Sequence, residues 1–217
     1  MSKRRQAGLI LLSMATLTAF SAFAGCLASA PQMASGPVGE TEPGAEDSVA
    51  GQTSVREVPD QLDESERPIT ATEDLNRTGL PPEEIDIAEY RLNVDGLVER
   101  PLALSYDEIL AYPTVTKVVL LICPGFFEDN AEWTGVPVAT LLVEAGVKPE
   151  AVEVKFNDFG NYTKTLPLEV AEQEGVFLAY SVNGEVLPLD HGYPLRLVAE
   201  GRYGSDWVKW IRHIEVR

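Results

Sequence analysis

Cysteine and histidine are scarce in this chain: two of each in 217 residues. Cys26 and Cys123 are too few for a disulfide scaffold, and His191 and His213 show no metal-ligand spacing with either, which excludes a structural zinc module. No run of lysine or arginine occurs after Arg5, and the formal charge is −17. A nucleic-acid partner requires a concentrated basic face, so that class is excluded. No glycine-rich loop of the Walker or dinucleotide-binding kind is present. Nothing around either histidine marks it as the base of a cysteine protease.

The charge that is present is unevenly placed. Residues 1–30 carry +3, residues 31–90 carry −12 and residues 91–217 carry −8. The basic start (Lys3, Arg4, Arg5) precedes a 16-residue apolar stretch, Leu9 to Ala24, which ends in small side chains. That is the layout of a signal peptide over residues 1–25. The stretch falls just short of the ~17–25 residues that span a bilayer. Phe23-Ala24-Gly25-Cys26 resembles a bacterial lipoprotein box, in which cleavage before Cys26 leaves its sulfur lipidated; the alternative is ordinary cleavage after Ala24, which leaves a plain thiol. Arg4-Arg5 lacks the Phe-Leu that usually follows a twin-arginine pair, so the export route stays open. Residues 26–88 are rich in Pro, Gly, Ser, Thr and acids and poor in aromatics. Such a segment buries too little apolar area to offset its ordering entropy, and a disordered acidic tether is expected.

Residues 89–217 hold nearly all of the alternating apolar pattern and form one domain. Tyr90–Val94 reads as a strand, with Asp95-Gly96 as a turn signal. Ser105 with Glu108 fits a capping box opening a short helix to Ala111, which Pro113 closes. Lys117–Ile122 is β-branched and apolar except for its lysine, so an interior strand covered on both faces is expected, delivering Cys123 at its end. Val138, Leu141, Leu142 and Ala145 recur at helical spacing before the stop at Gly146. Strands follow at Val152–Phe156, Tyr162–Leu166 and Val176–Val182, with a short helix expected within Leu168–Glu174. Asn183-Gly184 then turns a tight hairpin into Glu185–Leu187. Leu195–Ala199 and Ile211–Val216 are the last strands. This order predicts an α+β fold with a mixed sheet and hairpins.

From residue type alone Cys123 is either a small core side chain or a working thiolate at a strand end, where sites gather. Five strings, in order over residues 90–217, bear on that choice. They are Val94-Asp95-Gly96-Leu97-Val98; Cys123 with Trp133-Thr134-Gly135-Val136-Pro137; Asn183-Gly184-Glu185-Val186-Leu187-Pro188; His191-Gly192-Tyr193-Pro194-Leu195-Arg196; and Tyr203-Gly204 with Lys209-Trp210-Ile211. Together they resemble the sulfite oxidase-like family of molybdopterin enzymes, in a version shortened at its N-terminal side.

The resemblance implies a molybdenum–molybdopterin cofactor with Cys123 as the metal ligand, soft sulfur being a suitable donor. It implies that His191, Arg196 and Lys209 contact the pterin or its phosphate, and that Tyr162 stands near the metal as a hydrogen-bond donor. Taken singly, each also has a structural reading: a turn residue, a strand-edge cation, a solvated lysine and a half-buried strand aromatic. The implied chemistry is oxygen-atom transfer or a related two-electron step on a small-molecule substrate, with a separate electron carrier or partner subunit. Glu128, Asp129 and Glu132 beside Cys123 argue against a small oxyanion such as sulfite as that substrate. The alternative is a domain that keeps the fold without the cofactor and serves as a surface binding or assembly module.

Overall fold

The computed structural model describes residues 67–217; the expected signal peptide, Cys26 and the first part of the expected tether lie outside the described residues. Ten strands and three helices follow in chain order: β1 (Leu92–Gly96), β2 (Leu102–Leu104), α1 (Tyr106–Leu110), β3 (Val115–Cys123), β4 (Phe127–Pro137), α2 (Val138–Ala145), β5 (Glu153–Asn157), β6 (Thr163–Pro167), α3 (Leu168–Ala171), β7 (Val176–Val182), β8 (Glu185–Val186), β9 (Arg196–Ala199) and β10 (His213–Val216). One sheet has the order β2-β1-β10-β5-β6 and the other β3-β4-β7-β8, with β9 also paired to β7. The β1–β10 pair is parallel and the neighbouring pairs are antiparallel, so the first sheet is mixed, as the sequence implies.

Strand β7 explains how the two sheets share a core. Val176 and Leu178 point into one apolar cluster with Leu92, Val94, Phe156 and the α2 residues Leu141 and Leu142. Phe177 and Ala179 point the other way, into a cluster with Val119, Leu121, Trp133 and Trp207. A strand buried on both faces has continuous rather than alternating apolarity, which is what Val176–Ala179 shows. Gly135 in β4 sits at the register shift against β7, where a Cβ would lie 2.1 Å from the Leu178 carbonyl oxygen. Only glycine permits that approach, a physical reason for the glycine of Trp-Thr-Gly-Val-Pro.

Local signals were sound for the helices. Ser105 caps α1 by accepting from the Glu108 amide, and Glu108 accepts from the Ser105 amide at 2.8 Å. Gly146 ends α2 in the left-handed region at φ 69°. The Asn183-Gly184 turn has φ 50° and 79°, as a two-residue hairpin requires.

Four expectations need correction. Strand β3 is at the edge of its sheet, not its interior; its apolar C-terminal half is covered by the 203–206 loop, and Lys117 at its exposed end pairs with Glu200. Asp95-Gly96 is no turn but the end of β1, and Gly96 is there because a Cβ would meet the Val216 oxygen at 2.1 Å. Strands β2 and β4 have no counterpart in the sequence reading, and β4 is the longest strand at 11 residues. Finally, residues 67–88, assigned to the tether, lie on the domain: the Thr70 amide donates to the Asn130 oxygen at 2.7 Å, and Leu75 is buried in the second cluster.

Candidate functional site

Cys123 ends β3 at a tight turn. Pro124 and Gly125 (φ 80°) occupy its two central positions, and the Phe126 amide donates back to the Cys123 oxygen at 3.0 Å. Proline followed by a positive-φ glycine is the composition of a type II turn, so the hairpin that carries the thiol is locally encoded. The thiol is partly exposed on a cavity of about 630 Å³, whose lining also includes Lys209, Tyr162, Gly204 and Trp210. Opposite the sulfur lies Gly204, held by a loop that Asp206 ties to β6 through an ion pair with Lys164 at 2.6 Å. Burial pushes the Cys123 thiol up, Arg196 and Lys209 pull it down, and Asp129 adds to the rise.

Arg196 starts β9 and is buried behind the cysteine. Its guanidinium stacks 5.0 Å from the Trp133 ring centre and 5.4 Å from that of Trp207, and donates through Nη1 to the His191 oxygen at 3.0 Å. Its Nε has no hydrogen-bond partner among the described residues. Burial brings its pKa down to about 10, against the pull of Asp129 and Cys123. A strand-edge cation reaching for solvent is therefore excluded for Arg196.

Lys209 is not solvated either. Its Nζ donates to the Asp190 oxygen at 2.7 Å and to the Thr78 oxygen at 2.8 Å. Burial first, and the charge of Arg196 next, lower its pKa to about 7. The adjacent Trp210 has φ 56°, a conformation a bulky residue adopts only when its surroundings enforce it; the indole N–H is fixed to the Leu189 oxygen at 2.7 Å.

The other two expected site residues divide. Tyr162 lies on the same cavity as Cys123, half exposed, with its hydroxyl donating to the Ser205 oxygen at 2.7 Å. His191 does not line that cavity. It ends a 3₁₀ turn, is buried, and borders a smaller cavity of about 190 Å³ with Arg77 and Asp190. Burial, then Arg196, Lys209 and Arg77, lower its pKa to about 4, so it is a neutral imidazole at pH 7. The structure thus brings Cys123, Tyr162 and Lys209 to one cavity, with Arg196 behind it and His191 joined to the group through its backbone carbonyl.

Sequence reasoning missed the wall formed by Thr78, Gly79 and Leu80, which belong to the supposed tether. It missed Trp207 as well, whose ring meets Trp133 edge-on at 5.7 Å. Neither has a local signature: both are placed by contacts distant in sequence.

The donor set suits an anionic ligand with a soft-metal end. A partly exposed thiol supplies the soft donor, Lys209 keeps one ammonium proton uncommitted, and Arg196 keeps an unpartnered buried Nε. Burial is the main cause that depresses Arg196, Lys209 and His191; the charge of Arg196 adds to the depression of Lys209, and both cations add to that of His191.

This fold is that of a known class. The chain belongs to the oxidoreductase molybdopterin binding domain family, which it matches over residues 78–217, and the cofactor of that family is molybdenum–molybdopterin. It is similar to YuiH, an uncharacterized oxidoreductase of Bacillus subtilis (strain 168), at 34% identity over 148 residues, covering 68% of this chain and 75% of the relative. It is also 31% identical over 166 residues to the NADH nitrate reductase of Ulva prolifera, covering 61% of this chain and 19% of that enzyme. Among solved structures, the sulfane dehydrogenase SoxCD from Paracoccus pantotrophus superposes with a TM-score of 0.57 at 34% identity, over 61% of this chain and 39% of that one. The architecture is a shortened sulfite oxidase-like α+β fold.

Proposed function

We propose that this protein is an exported molybdopterin-dependent oxidoreductase, anchored to the membrane by lipid on Cys26, in which Cys123 ligates the metal. The observation that carries the reading is the meeting of a partly exposed thiol and a buried lysine on one cavity, with the charge of a buried arginine, Arg196, acting on both. When bound, the cofactor supplies two-electron redox chemistry, as oxygen-atom transfer or a related step. The chain's own residues do the rest. Cys123 offers a thiolate on a rigid hairpin, where coordination to a metal outweighs the burial that raises its pKa. Lys209, on the cavity lining, gives a charge-assisted hydrogen bond to the phosphate end of the pterin, and Arg196, buried behind the cavity, adds its positive charge. His191 serves that end indirectly, through the carbonyl that orients Arg196.

Tyr162 holds an O–H donor at the cavity mouth, where it turns from the Ser205 oxygen to a substrate or product oxygen. Relatives named nitrate reductase and sulfane dehydrogenase support redox chemistry on a small-molecule substrate. Electrons then pass to or from a separate carrier or partner subunit. The mouth is apolar, with Leu80 and Phe126 almost fully exposed there, which favours a larger, partly apolar substrate over a small oxyanion.

The test is metal analysis of the full chain purified from a host that makes the cofactor. About one molybdenum per chain is expected in the wild type and almost none in Cys123→Ser, with the fold of the variant unchanged by circular dichroism. A folded wild-type protein without molybdenum would sink the reading and leave a cofactor-free binding module.

A further inference from the structure

We propose that residues 67–80 form a strap that tightens over the cofactor cavity when the cofactor is seated, with Asn76, Arg77 and Lys209 as its latches. The proposal rests on the reading of that cavity as the cofactor site. The family match begins at residue 78, so most of the strap precedes the matched range.

The strap has almost no structure of its own. A three-residue 3₁₀ turn at Thr72–Asp74 is its only regular element, so its order comes from what it touches. Its first half covers a sheet edge. Strand β4 pairs with β3 from Phe127 onward but with β7 only from Trp133, and the uncovered stretch is where Thr70 pairs with Asn130. From the β8 side Asn183 donates to the Thr70 oxygen at 2.9 Å. An unpaired edge invites association with other chains, and the strap removes it.

The second half is the cavity wall. Asn76 grips both oxygens of buried Asp129, at 2.9 Å through its amide and 2.7 Å through Nδ2. Arg77 pairs with the Asp190 carboxylate at 3.1 Å, and Lys209 takes the Asp190 and Thr78 carbonyls together. Gly79 then passes over the Trp210 ring, where a Cβ would lie 3.5 Å away, and Leu80 follows at the mouth with its side chain almost wholly in solvent.

Lys209 is therefore shared. Its ammonium donates to the strap at Thr78 and to the neighbouring turn at Asp190, and the same side chain lines the cavity. An anion that fixes the ammonium also fixes the Thr78 carbonyl, so cavity occupancy and strap order favour each other. Linkage makes the effect reciprocal: a loosened strap releases the ligand faster.

Hydrogen exchange on the full chain, purified with and without molybdenum–molybdopterin, tests this. Exchange at the Asn76 amide is expected to slow about tenfold with the cofactor bound, while amides in β7 keep their rates. Arg77→Ala removes a solvent-exposed ion pair and so leaves the fold intact. Together with Asn76→Ala, it is expected to raise the rate of cofactor release several-fold, read as loss of molybdenum during dialysis. If metal is bound but Asn76 exchanges equally in both preparations, or if Arg77→Ala and Asn76→Ala both release at the wild-type rate, the strap proposal is wrong and the cofactor site stands. If the chain holds no molybdenum, metal analysis reports that the cofactor site itself fails, and the strap proposal falls with it.

Discussion

Gly204 and Cys123 are packed so closely that a methyl group on the glycine would sit 2.4 Å from the cysteine sulfur. The same methyl would lie 3.1 Å from Leu121 Cδ1, so it has no free direction in which to settle. Gly204→Ala is therefore expected to push the thiol from its position and to cost about 1–3 kcal/mol in overpacking. Metal analysis and a urea melt separate the two effects: molybdenum content should fall by more than half while the chain still unfolds cooperatively. Full molybdenum content in this variant would show that the sulfur has more latitude than the packing implies.

Arg196 is costly to the fold and useful to the site. A buried guanidinium between Trp133 and Trp207, its Nε unpartnered, is a charge whose hydration has been lost with little compensation inside the protein. Arg196→Met keeps the volume and drops the charge. It forfeits the two ring contacts and the bond to the His191 oxygen but relieves the desolvation. The cofactor-free chain is expected to lose no more than about 1 kcal/mol. Cofactor retention should nevertheless collapse, a combination that a merely structural arginine would not give. Chemical denaturation with parallel molybdenum analysis checks both halves.

Two bases in the site have depressed pKa values, and the sign of their effect is the same. His191 falls from 6.5 to about 4, mainly by burial and then by the charges of Arg196, Lys209 and Arg77. The unfolded chain takes up this proton more readily than the folded one, so the stability His191 contributes is complete above pH 6.5 and is lost as pH falls through 4. Lys209 falls from 10.5 to about 7, by burial and then by Arg196. In its window stability climbs from pH 7 toward 10.5 as the buried ammonium is relieved of its charge. Urea midpoints of the cofactor-free chain should rise across both windows. His191→Asn should flatten the lower slope and Lys209→Met the upper one. A seated anion opposes the second effect, so with the cofactor bound the upper slope should shrink.

What could be read ahead of the fold divides by range of interaction. Ser105, Gly146 and Asn183-Gly184 act on their immediate neighbours, and the elements they mark lie within a residue or two of expectation. Strand β4 was hidden because Glu128, Asp129, Asn130 and Glu132 interrupt its apolar alternation. Arg67 and Asn76 meet the side chains of Glu128 and Asp129, and Thr70 and Asn183 accept from the backbone amides of Asn130 and Glu132; all are distant in sequence, and no local pattern announces them. The site shows the same division. Cys123 is legible because a strand and a Pro-Gly turn frame it. Lys209, Arg196 and Tyr162 could be gathered only by resemblance to a family, and the fold does bring them around the cysteine. His191 came with the same motif but lies on the other side of its turn. The wall at Thr78–Leu80 lay beyond either method, because composition assigned it to a segment without a core of its own.

Tyr162 offers a way to separate catalysis from architecture. Its hydroxyl donates to the Ser205 oxygen, and the loop bearing Ser205 is held independently by the Lys164–Asp206 pair at 2.6 Å, in which the aspartate is almost fully buried. Loop position therefore does not depend on the tyrosine. Tyr162→Phe removes one hydrogen bond at a half-exposed side chain, which should cost no more than about 0.5–1.5 kcal/mol and leave molybdenum content unchanged. Asp206→Asn is the contrasting variant. It weakens the tie that keeps Gly204 against Cys123, so it should lower molybdenum content as well as stability. If Tyr162 donates to an oxygen of substrate or product, the phenylalanine variant loses turnover at full metal loading, by about tenfold to a hundredfold, the rate loss expected for one transition-state hydrogen bond. Turnover normalised to bound molybdenum, measured for both variants with an artificial electron acceptor or donor, decides the matter: Asp206→Asn should retain its normalised rate. Equal normalised rates for Tyr162→Phe and wild type would reduce the tyrosine to a support for the cavity rim.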